Sequence, residues 1–105
     1  MELSKLKCIV TGAAQGMGRH FSLRLAQAGA HVAAGDVQEE GLKSLESEAK
    51  GLPGKIYVKK LDVSAEQGCV DFVAWAHGQM GGLNGLINNA GSTRGSLNTF
   101  AHSVL

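Results

Sequence analysis

The sequence predicts an α/β fold, a doubly wound parallel sheet that ends after about four strands. Three observations predict it. Short β-rich apolar runs alternate with stretches of helical apolar spacing, which is the signature of successive strand-helix-strand units. The run KCIVT at residues 7–11 is almost continuously apolar, as expected of a strand covered on both faces. The glycine-rich and polar clusters follow the carboxyl ends of the apolar runs, where sheets of this class bind ligands.

Taken in order, residues 7–11 form the first strand. The stretch VTGAAQGMGRH leads from its end into a helix over about 17–28, with Met17, Phe21, Leu25 and Ala28 on one face and Gly29 as the stop. HVAAGD at 31–36 is the second strand. Leu42, Leu45, Ala49 and Leu52 give the second helix its buried stripe before Pro53-Gly54 breaks it. A third strand covers about 55–61. Ser64 and Gln67 have the spacing of a capping box for a third helix, whose apolar side carries Cys69, Phe72, Val73, Ala76 and Met80. Gly81-Gly82 closes it, and GLIN at 85–88 is a short fourth strand. Residues 1–105 read as one partial domain, with 92–105 an irregular tail.

Composition narrows the function classes. The chain of 105 residues is 44% hydrophobic and 18% charged with one proline, within the globular range. A net charge of +1 with no basic run argues against nucleic acid as a partner. The start alternates polar and apolar residues, unlike a secretory signal, and no apolar run approaches the ~20 residues of a membrane helix. Cys8 and Cys69 form no C-x-x-C pair and read as two buried thiols in a reducing cytosol. The four histidines lack metal-ligand spacing.

The glycines of the first turn have separate tasks. Gly12 can leave the strand with positive φ, Gly16 lets backbone approach a pyrophosphate, and Gly18 lets the helix press against the strand. The helix N-terminus would then face the anion. Asp36, 18 residues after Gly18, lies close to the ~20-residue offset of a carboxylate that accepts from a ribose 2′-OH. It would repel a 2′-phosphate, so NAD is expected over NADP. Asp62 and Val63 could bracket an adenine; Asp62 reads equally as an exposed turn residue helping to start the next helix. Asn88-Asn89 reads also as a strand-ending turn. Arg19 reads as a phosphate contact or as a solvated helix-face residue.

Together these residues resemble the short-chain dehydrogenase/reductase family. Thr11-Gly12-Ala13-Ala14-Gln15-Gly16-Met17-Gly18 is similar to its T-G-x-x-x-G-x-G motif, Asn88-Asn89-Ala90-Gly91 to its N-N-A-G motif, and Asp62-Val63 stands where the family contacts adenine. The resemblance implies a Rossmann-like sheet and an NAD-dependent oxidoreductase acting on an alcohol or ketone. It implies that Gly12, Gln15, Gly16, Met17 and Gly18 line the pyrophosphate and ribose, that Asp36 and Val37 read the adenosine, and that Asn89, Ala90 and Gly91 support the sheet beside the cofactor. The family's catalytic serine and Y-x-x-x-K lie further along the chain than this sequence runs. Its one tyrosine, Tyr57, precedes Leu61 at the lysine position and reads as a strand residue. The chain by itself is therefore expected to be inactive, a cytoplasmic fragment or short form completed by a missing C-terminal half or a homologous subunit. A non-catalytic nucleotide-binding or interaction module, and a remnant that binds nothing, stay open beside the oxidoreductase reading.

Overall fold

The computed structural model describes residues 3–89. Within them a short 3-10 turn (Leu3–Lys5) precedes β1 (Lys7–Thr11), α1 (Gly16–Gln27), β2 (His31–Asp36), α2 (Glu39–Glu48), β3 (Lys55–Lys60), α3 (Glu66–Met80) and β4 (Gly85–Asn88). Residues 90–105, which include Ala90, Gly91 and the tail expected at 92–105, lie outside the described residues.

All pairings are parallel, in the order β3-β2-β1-β4. Ile9 of β1 stands opposite Ala33 of β2 and Leu86 of β4, and Ala33 in turn opposite Tyr57 of β3. The chain thus winds outward from β1 through β2 to β3, then crosses back to place β4 on the other side of β1. Sheets of this class carry their ligand crevice at the carboxyl ends of the strands, beside such a reversal.

The period of two along each strand divides the core. Cys8, Val10, Val32, Ala34 and Ile56 face α1 and α2, where Ala26, Leu42, Leu45 and Ala49 meet them. Ile9 and Ala33 face α3, with Cys69, Phe72, Val73, Ala76 and Met80 beneath them. Gly35 shares that second face, and a Cβ there would lie 2.9 Å from both the Phe72 ring and Leu61, so its missing side chain makes room for the largest group in the cluster. The two cysteines are free and buried on opposite faces of the sheet, which excludes a disulfide between them. Among the described residues no helix is long and apolar enough to cross a membrane.

Two local expectations need correction. The buried face of α1 is Gly18, Ser22 and Ala26, not Met17, Phe21, Leu25 and Ala28. Met17 is 62% exposed, Ala28 is exposed and the other two are half-buried. Docking geometry chose the smaller residues: α1 crosses the backbone leaving β1 at Gly18, and the face that continues from that crossing turns to the sheet. Ser22 is tolerated there because its hydroxyl donates to the Gly18 carbonyl at 2.8 Å. The capping box at Ser64 does not form either. The N-cap of α3 is Ala65, and the Ser64 hydroxyl donates instead to Asp62 Oδ1 at 2.6 Å, while Gln67 reaches Asp71 at 2.9 Å.

Tyr57 packs in the sheet as expected, its hydroxyl 3.4 Å from His31 Nδ1 and its ring beneath Lys55. Leu86 and Ile87 are half-buried against opposite faces of the core, and among the described residues β4 pairs only with β1.

Candidate functional site

The turn from β1 into α1 is built from backbone. Gly12 and Gly16 both take positive φ, 64° and 62°, a region that side chains with a Cβ rarely enter. A Cβ on Gly16 would meet nothing within 4 Å, so this glycine is required by conformation and leaves open space at the helix mouth. Gly18 is required by contact. A Cβ there would overlap the Gly12 carbonyl oxygen and lie 2.8 Å from its carbon and 2.9 Å from Asn89 Nδ2. Gln15, extended at the N-cap of α1, makes no side-chain cap. The first amides of the helix therefore point at the open space left by Gly16 without a side chain across them.

The turn is held by its neighbours. Ala13 N–H donates to the Gly35 carbonyl at 3.1 Å, and Ala14 N–H donates to Asp36 Oδ2 at 2.9 Å. The other carboxylate oxygen of Asp36 accepts from Gln38 N–H at 3.0 Å. Asp36 is thus fixed by two backbone donors at the end of β2, and a carboxylate retains further lone pairs for a ligand.

Gly12, Asp36, Val37, Leu61, Asp62 and Val63 line one cleft of about 200 Å³. Five of these six are sequence-predicted site residues and the sixth, Leu61, adjoins Asp62; they are brought together from the ends of β1, β2 and β3. Val37 is 53% exposed, an apolar surface held at the rim. Asp62 faces solvent in a turn, accepting from the Ser64 hydroxyl and, at 3.0 Å, from the Ser64 amide. The hydroxyl bond first, then the amide bond and the charge of Lys60, hold its carboxyl below the usual range. Two larger hollows of about 320 Å³ run along α2 and β3, one at the start of β3 and one reaching Lys59 and Lys60 at its end. The smaller cleft is the candidate site because Gly12 and the carboxylates of Asp36 and Asp62 converge there, and volume does not decide it.

At the far side of the crevice Thr11 Oγ1 donates to Asn88 Oδ1 at 2.9 Å, tying the ends of β1 and β4. Asn89 Nδ2 reaches the Gly12 carbonyl at 3.4 Å, the group that Gly18 approaches from above. Met17 stands exposed beside the turn. Among the described residues no cluster of His, Cys, Asp and Glu could hold a metal ion.

Sequence reasoning missed the role of Arg19, which is half-buried against α2 with its guanidinium spent on the turn and on that helix. Its Nη1 donates to the carbonyls of Ala14 and Gly41 at 3.2 and 3.1 Å, and its Nη2 to Ser44 Oγ at 3.0 Å and Glu48 Oε1 at 2.6 Å. No sequence signal announces this, because three of the four acceptors belong to α2 and become neighbours only when α1 and α2 pack side by side.

The sequence profile of the short chain dehydrogenase family matches residues 7–103. Among curated proteins, the chain is 42% identical over 97 residues to a 3-oxoacyl-acyl-carrier-protein reductase of Thermotoga maritima, covering 92% of this chain and 39% of that protein. It is 39% identical over 90 residues to an acetoacetyl-CoA reductase of Rhizobium meliloti, covering 85% of this chain and 35% of the relative. Among solved structures it is similar to a hydroxysteroid dehydrogenase from Escherichia coli, with a TM-score of 0.81 and 28% identity over 87% of this chain and 39% of that one. The chain spans well under half the length of each of these relatives.

Proposed function

The chain belongs to the short chain dehydrogenase family, and from that premise we propose that its strand-end cleft binds a nicotinamide dinucleotide, NAD in preference to NADP, for oxidoreduction of an alcohol or ketone. The observation that carries the reading is the Asp36 carboxylate, bonded to the 12–18 turn at Ala14 and sharing one cleft with Gly12. The residues present fit such a group. The pyrophosphate would lie over the first turn of α1, in the space a Gly16 Cβ would face, where backbone amides and the helix dipole favour an anion. The lone pairs of Asp36 left over from Ala14 and Gln38 would accept from the adenosine ribose, and the same carboxylate would repel a 2′-phosphate. Val37 and Val63 offer apolar surface to adenine, with Asp62 beside them. Asn89 would steady the Gly12 carbonyl beneath the cofactor.

The nicotinamide ring, when bound, supplies or accepts the hydride. In this reading these residues grip and orient the cofactor, and proton transfer to substrate falls to residues outside the 105, since Tyr57 is committed to β3 and no Y-x-x-x-K occurs in the chain. The names of the relatives, reductases and a dehydrogenase of oxoacyl, acetoacetyl and hydroxysteroid compounds, support the alcohol or ketone class.

The test is calorimetric titration of the chain with NAD and NADP, beside Asp36→Ala. NAD is expected to bind the more tightly, and the variant to lose that preference. Failure of both dinucleotides to bind a chain that circular dichroism shows to be folded would defeat the proposal.

A further inference from the structure

The Ala14 peptide is gripped from three sides. Asp36 takes its N–H, Arg19 takes its carbonyl, and the backbone of α2 presses its methyl group, since a Cβ on Gly41 would lie 2.7 Å from Ala14 Cβ and 3.1 Å from Ala14 O. Ala14 is 4% exposed and stands between two glycines of positive φ, Gly12 and Gly16. Arg19 is the group that joins these grips. Its planar fork spans the turn and α2 at once, with one nitrogen shared between Ala14 and Gly41 and the other between Ser44 and Glu48.

We infer that Arg19 is a positioning residue for the dinucleotide turn: its guanidinium, braced on α2, fixes the Ala14 peptide and through it the backbone that meets the cofactor. The inference rests on the dinucleotide reading above for its consequence, though not for its geometry. A turn held in its binding conformation has no ordering cost to meet when ligand arrives, whereas a freed turn meets that cost at binding. Arg19 therefore raises affinity without touching the cofactor.

The experiment uses the 105-residue chain, labelled with nitrogen-15, in unmodified form and as Arg19→Met, Arg19→Lys and Asn84→Ala. Asn84 bonds the backbone at Lys5 and Lys7, at the opposite ends of the strands, so its loss lowers stability without reaching the turn. NAD binding is read by calorimetry, and hydrogen exchange of the Ala14 amide by NMR. Arg19→Met is expected to raise the NAD dissociation constant about tenfold and to speed Ala14 exchange, while Asn84→Ala lowers the melting temperature and changes neither. Arg19→Lys keeps the charge but cannot fork, and is expected to show the same two effects in smaller measure; it decides the matter should the Met variant not fold. Unchanged NAD affinity in the Arg19 variants, or an equal loss of affinity in Asn84→Ala, overturns the inference. Should the unmodified chain bind neither NAD nor NADP, the functional reading falls by itself, and the Ala14 amide decides the positioning role: exchange unaltered by Arg19→Met refutes it.

Discussion

Replacing Gly18 with alanine should destabilise the protein, although alanine is the better helix former. The substitution places a methyl group on the inner face of α1, overlapping the Gly12 carbonyl oxygen and 2.8 Å from its carbon, against ordinary contacts of roughly 3.5 Å. Something must move by several tenths of an ångström or more, and each candidate is held. Gly12 O accepts from Asn89, Ala13 and Ala14 are pinned to Gly35 and Asp36, and α1 itself is tied to α2 through Arg19. Overpacking of this kind costs about 1–3 kcal/mol, and the gain in helix propensity returns only about 1 kcal/mol. An overlap this close belongs at the upper end of that cost, so the net loss approaches about 2 kcal/mol, enough to lower the melting temperature by about 8–16 °C for a domain of this size. Gly78→Ala is the matched control. It lies in α3, where an added Cβ meets nothing within 4 Å, so propensity acts alone and stability should rise by up to about 1 kcal/mol. Thermal unfolding followed at 222 nm on the three proteins checks both signs. A Gly18→Ala protein as stable as the parent would refute the claim that the close crossing of Gly12 and Gly18 organises the turn.

Three further outcomes are expected. Asn84→Ala removes the bonds from Lys7 N–H at 2.7 Å and to the Lys5 carbonyl at 3.0 Å, and should cost about 1 kcal/mol, seen as a lower urea midpoint with unchanged slope. The Asp62 carboxyl is held below its ordinary value by Ser64, so it contributes stability above about pH 4 that is lost as pH falls through the lower folded value; urea midpoints measured from pH 5 to pH 2 should show a shallower acid loss in Asp62→Asn. Burial pushes the Cys8 thiol up to about 11, and burial with the Asp62 and Glu66 carboxylates pushes the Cys69 thiol up. Ellman's reagent at pH 8 should therefore label neither until urea unfolds the chain, and rapid labelling of the folded protein would contradict the burial.

Much of this protein was legible in the sequence because the signals are local. The apolar run of β1, the alternation of β and helical spacing, and the glycine stops at Gly29 and Gly81 depend on a few adjacent residues. So does the demand for positive φ at Gly12. The position of Asp36 at the end of β2 was equally readable, since strand length alone carries it there. The buried face of α1 was not. Apolar spacing favoured Met17, Phe21, Leu25 and Ala28, and the approach to Gly12 selected Gly18, Ser22 and Ala26. Ser64 has the spacing of a cap, yet Asp62 competes for its hydroxyl and wins. Arg19 gave no hint of its partners, which sit 22 to 29 residues away on α2 or in the turn just before it. The sequence determined which segments become strands and helices and which backbone positions must be glycine, because sterics and periodicity act between near neighbours. Packing chose which helix face is buried, which oxygen each donor finds and how firmly the turn is held, because those outcomes depend on groups that meet only when distant elements come together.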